Sequence, residues 1–121
     1  MKPITTATRW LTEQLKTHFD RVYPLCAVAG TDVPFIIYRR VGAMDRVATK
    51  DGWSGTEISY EVEVVTDTYK DGLELLDDVI YNLVHNSTDQ HQVVISNTSE
   101  LFDDQQNLYI QQIQLVLQEQ K

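Results

Sequence analysis

Hydrophobic and polar positions alternate from Glu57 to Val65, and within two or three residues the rhythm becomes helical. Ile58, Tyr60, Val62 and Val64 share one face; Ser59, Glu61, Glu63 and Val65 share the other. A period of two describes a strand with one buried side. From Tyr69 the apolar positions step by four and three through Leu73, Leu76, Ile80 and Leu83, the stripe of an amphipathic helix. Thr68 is placed to cap that helix, with Asp71 three residues on, near its positive end. The segment reads as scaffold and holds no reaction centre.

The same reasoning places the other elements. Ile4, Ala7, Leu11 and Leu15, with Trp10 beside them, predict a first helix from about Thr6 to His18, with Pro3, Thr5 and Thr6 as start signals. Arg21–Leu25 is a short extended piece that Pro24 confines to an edge or a strand end. Ala29–Asp32 is a turn, and Pro34–Val41 a dense β-branched and aromatic strand. Gly42–Thr56 shows no period and is punctuated by three glycines, which predicts a long loop. Gln92–Asn97 reads as a strand and Asp103–Asn107 as a turn.

Leu108–Glu119 fits two patterns. Ile113, Leu115 and Leu117 alternate with Gln112, Gln114, Val116 and Gln118, as in a strand, while Tyr109, Ile113, Val116 and Gln120 fit a helical face. A strand is preferred, because a hairpin with residues 92–102 buries more apolar surface than a solitary terminal helix. Leu108 and Ile110 sit in the opposite phase from Ile113 and Leu115, so the strand needs a bulge or a change of exposure. The expected architecture is one α+β domain over residues 1–121. Its mostly antiparallel sheet has four to five strands, two helices pack on one face, and the order is α-β-β-β-α-β-β.

Composition narrows the function. With 121 residues and 42% apolar content, the chain can build one real core. No apolar run approaches the ~20 residues that span a bilayer, and the first residues do not look like a secretory signal. Cys26 is the single cysteine, which points to a reducing compartment and to a small core residue rather than a nucleophile. Eighteen acids against ten bases leave a net charge of −8, which repels phosphate backbones and argues against a sequence-specific nucleic-acid reader. Arg39-Arg40, Arg46 and Lys50 form a local basic group, read first as a solvated strand end.

Candidate chemistry is thin. His85, Asp89 and His91 have ligand types suited to zinc but lie across a helix end and a polar turn without a fourth ligand, and so read as exposed polar residues. Glu61 and Glu63 share a strand face and read as solvated carboxylates. Asp71, Glu74, Asp77 and Asp78 form an acidic outer face on the second helix. No Gly-x-Ser-x-Gly, P-loop, dinucleotide-binding or paired-cysteine motif occurs. No catalytic, cofactor-binding or metal-binding residue is therefore expected, and no enzyme activity.

Three short runs resemble a known family: Arg21-Val22-Tyr23-Pro24, Val33-Pro34-Phe35-Ile36-Ile37-Tyr38, and Val65-Thr66-Asp67-Thr68-Tyr69 opening into Asp71-Gly72-Leu73. Together, over roughly residues 6–118, they are similar to the tail-completion (tail-terminator) proteins of long-tailed bacteriophages and prophages. Gly72 departs from that pattern, in which alanine is frequent, and the 42–56 loop holds no diagnostic residue. The resemblance implies a ring, commonly a hexamer, that caps the tail tube and joins it to the head connector. The chain would then reside in the virion tail, after assembly in the host bacterial cytoplasm, with itself, the tube protein and the connector protein as partners. It needs no cofactor and no membrane. An acidic protomer suits a conduit that DNA must slide through.

Within that reading the subunit-contact candidates are Arg46, Lys50 and Trp53 in the loop, and Gln112 and Gln114 on the outer face of the last strand. Trp53 also fits an aromatic tucked back onto the sheet edge. Two rival readings remain. One is a small cytoplasmic adaptor that binds one protein partner through the acidic helix face; the other, weaker, is a metal-dependent hydrolase using His85, Asp89 and His91.

Overall fold

The computed structural model describes residues 2–27, 30–45, 48–49, 52–53 and 55–120. Its elements are α1 (Pro3–His18), β1 (Val22–Pro24), β2 (Phe35–Asp45), β3 (Ala48–Thr49), β4 (Gly52–Trp53), β5 (Gly55–Thr66), α2 (Tyr69–His85), β6 (His91–Asp103) and β7 (Leu108–Gln120). Five strands form one sheet in the order β1-β2-β5-β7-β6, antiparallel except for β1 alongside β2. β3 and β4 form a separate two-stranded ribbon. This is the α+β architecture that the periodicity implied.

The alternation in β5 holds from Thr56 to Val64, and Gly55, Val65 and Thr66 are buried as well. Ile58, Tyr60, Val62 and Val64 are completely buried beneath the helices. They join Leu11 and Leu15 of α1, Val79 and Leu83 of α2, and Ile113, Leu115 and Leu117 of β7 in one core. Each such side chain contributes about 1.5–3 kcal/mol by leaving water. α1 begins about a turn before the expected start at Thr6, because Pro3 fits the first helical turn, where its missing N–H costs nothing.

α2 is rolled relative to the stripe expected for it. Gly72, Val79 and Leu83 are its buried positions, while Tyr69 is 44% exposed and Leu73 38%. Gly72 explains the roll: a Cβ there would stand 2.9 Å from Thr66 Oγ1, so only glycine lets the helix settle so close. The Thr68 cap is present, its hydroxyl accepting from the Asp71 amide at 3.2 Å.

The supposed 42–56 loop is largely sheet. β2 runs on to Asp45 and pairs with β5 as far as Asp45 opposite Thr56. A register shift between Arg40 and Gly42 breaks the alternation, which is why the periodicity vanished from the sequence while the strand continued. Likewise β6 extends past Asn97 to Asp103, with a shift between Ile95 and Asn97 that hides Ser96–Ser99 as an apparent polar break. β7 is a strand and needs no bulge. Leu108 and Ile110 lie on the sheet face opposite the helices, so the answer to their phase is a change of exposure. Asp103 Oδ1 accepts from the Gln105 and Gln106 amides at 3.0 and 3.2 Å and closes the turn between β6 and β7.

Cys26 is exposed and so not a core residue. Leu25 takes a left-handed φ of 67° just after β1 ends.

Candidate functional site

Both helices cover one face of the sheet, and the other face carries the most organised polar surface among the described residues. Strand register sets Arg39 beside Glu61, Glu61 beside Gln114 and Glu63 beside Gln112, and places Ser99 on the far side of Gln112. Arg39 pairs with Glu61 and, at 3.5 Å, with Glu63. Gln112 Nε2 donates to Glu63 at 2.8 Å and to Glu61 at 3.4 Å, and Ser99 Oγ donates to Gln112 Oε1 at 3.0 Å. The result is a ladder of hydrogen bonds across β2, β5, β7 and β6.

That ladder corrects the reading of Glu61 and Glu63 as solvated. Their side chains are only 13% and 15% exposed, because Arg39 of β2 and Gln112 of β7 crowd over them. Two adjacent carboxylates are tolerable there while Arg39 supplies positive charge and Gln112 supplies donors. Arg39 is 36% exposed, so solvent weakens its share. We expect Arg39→Met to lower stability by about 0.5–1 kcal/mol, read from urea unfolding at neutral pH. An unchanged midpoint would mean that the ladder does not hold the face.

Gln112 therefore sits inside the ladder, while Gln114 is exposed on the same face. Arg46 and Lys50 lie outside the described residues. Trp53 is described through its backbone, opposite Ala48 in the β3–β4 ribbon. Alternation could place Glu61, Glu63, Gln112 and Gln114 each on a strand face. Their joining by Arg39 and Ser99 depends on which strands are neighbours, and no local pattern carries that.

On the helix side, the structure separates the three residues weighed as zinc ligands. His85 stacks on Tyr81 with ring centroids 5.2 Å apart, and Asp89 is exposed. His91 stacks on Trp10 at 5.3 Å, with its Nε2 2.7 Å from Glu119 Oε2. The His91–Glu119 contact is close but not aligned as a hydrogen bond. Burial lowers the His91 pKa from 6.5 and raises that of Glu119 from 4.5, pushing each toward its uncharged form. Among the described residues, no group of three or more His, Cys, Asp or Glu side chains could hold a metal ion.

Tyr60 is the other polar group in this core, its hydroxyl 2.6 Å from Thr8 Oγ1. Burial raises its pKa, partly offset by that hydrogen bond. These residues tie α1 to the sheet, and nothing in their arrangement aims a nucleophile or a base at a cleft. No helix among the described residues is long and apolar enough to cross a membrane.

The sequence matches no family model and no curated protein. The fold does match a solved structure, a chain described as part of the virion of a native gene transfer agent (GTA) particle. The TM-score is 0.72 at 11% identity, and the likeness covers 100% of both chains. At that identity the likeness is one of fold, and it extends from end to end of the two chains.

Proposed function

We propose that this chain is a structural subunit of a phage-like virion, a tail-completion protein that assembles into a ring at the head end of the tail tube. The observation that carries the reading is the likeness of fold to a chain from a virion particle, which covers 100% of both chains. The surface is consistent with such work. The open sheet face is a broad, hydrogen-bonded platform, and a net charge of −8 would keep passing DNA from adhering to an inner wall. In a ring each protomer uses two different patches, so one substitution weakens every junction. Trp53, Gln114 and the residues around them are the contact candidates, with the tube and connector proteins docking at the two ends.

Size-exclusion chromatography with light scattering tests this. The wild-type protein is expected as a closed oligomer, seen as rings by electron microscopy. Trp53→Ala should leave a folded protein of lower mass, since aromatic residues at an interface centre commonly supply about 2 kcal/mol or more. Wild-type protein that stays monomeric, alone and with a tube protein, would overturn the ring. The adaptor alternative draws on the exposed acids of α2 and predicts a monomer that captures a foreign protein.

A further inference from the structure

The helix layer carries two exposed stripes of opposite charge. On α1, Arg9 and Lys16 are exposed and seven residues apart, two turns or about 10.5 Å along one face. Glu13 is the single acid of α1. On α2, Asp71 and Asp78 are exposed with the same seven-residue spacing, and Glu74 and Asp77 are exposed beside them. None of these seven forms an ion pair among the described residues, where the close pairs are those of Arg39 with Glu61 and Glu63, and of His91 with Glu119. The opposite charges therefore do not satisfy one another within a protomer.

Apolar surface accompanies them. Tyr81 is 64% exposed and Val84 47%, and together with Asp77, Ile80 and His85 they border a shallow hollow of about 400 Å3 on α2. A hollow of about 540 Å3 on α1 is bordered by Ile4, Thr8, Arg9, Glu13 and Lys16, among others. An aromatic standing proud among acids on one helix thus has, on the other, a hollow edged by two bases and one acid.

We propose that the outer face of α1 on one protomer docks on the outer face of α2 on a second copy of this chain. The inference rests on the self-assembly in the proposed function and adds a second pair of surfaces to the Trp53 and Gln114 candidates. A second copy is the fitting occupant because the chain itself bears the complementary stripe at matching spacing. Copies with a net charge of −8 repel one another as wholes, which favours contacts where local signs oppose. Of the two helices, α1 is the one whose outer face has an excess of bases.

The test exchanges the charges. One variant carries Arg9→Glu and Lys16→Glu; the other carries Glu74→Lys and Asp78→Lys. All four positions are exposed, and circular dichroism melting checks that both variants fold. By light scattering at low ionic strength, each variant alone should assemble about tenfold or more weakly than wild type. An equal mixture of the two should regain assembly, because every α1–α2 contact between unlike variants again joins opposite signs. Variants that each assemble like wild type, or a mixture that fails to recover, would overturn this contact while the ring itself stands. Weakening by the α2 variant alone also overturns it, since the acidic face would then dock on a surface of the second copy other than α1. A wild-type protein that never self-associates would overturn both the contact and the ring.

Discussion

Tyr60→Ala is expected to lower stability by about 3–5 kcal/mol, enough to unfold much of a protein of this size at body temperature. Tyr60 is completely buried in β5, the middle strand of the sheet, and its ring lies in the core shared by both helices. Truncation removes the transfer energy of the ring and leaves a cavity that a sheet paired on both sides cannot collapse around. It also deprives Thr8 of its partner and so loosens α1. Tyr60→Phe isolates that second effect and should cost about 1 kcal/mol. Urea unfolding followed by circular dichroism reads both. Should Tyr60→Ala shift the midpoint no more than Tyr60→Phe, the ring would not be filling the core as described.

Glu119→Gln should do the reverse and stabilise the protein at neutral and alkaline pH. Glu119 is 5% exposed at its side chain, beside His91 at 12%, and burial penalises charge on both. A raised carboxyl pKa means that the folded state holds its proton more tightly than the unfolded chain. That contribution is fully present below 4.5 and is lost as pH rises through the raised value. The lowered His91 pKa acts in the opposite sense: its contribution is present above 6.5 and lost as pH falls through the lowered value. Near pH 8 the buried carboxylate is thus the destabilising member of the pair. Glutamine of the same shape should gain about 1–2 kcal/mol there and nothing at about pH 4, where the native carboxyl is already protonated. Thermal melts at the two pH values decide it. A glutamine variant less stable than wild type at the higher pH would instead identify a charged, stabilising ion pair.

Much of the fold was legible wherever one periodicity ran unbroken. β5 and α2 stand where their patterns put them, and β7 proved a strand because its odd positions bury evenly from Gln111 to Glu119. The pattern failed where a register shift reset the phase. Gly42 and Ser96 each sit at such a shift, so β2 and β6 seemed to stop several residues early. The roll of α2 was also hidden. Hydropathy weights Leu73 above Gly72, whereas packing placed Gly72 against Thr66 because it has no side chain to obstruct the approach.

For the candidate surface, alternation assigned Glu61, Glu63, Gln112 and Gln114 to faces but could not join them. The amino-acid order by itself determined the elements with unbroken periodicity, the acidic surface and the single apolar core, since each follows from local spacing and composition. The tertiary structure alone decided that β7 inserts between β5 and β6, which brings Arg39, Glu61, Glu63, Gln112 and Ser99 into one ladder. It also decided that His91 meets Glu119 rather than His85 and Asp89. Both outcomes depend on which strands become neighbours, and strand pairing is settled by the burial of the whole sheet rather than by any short run of residues.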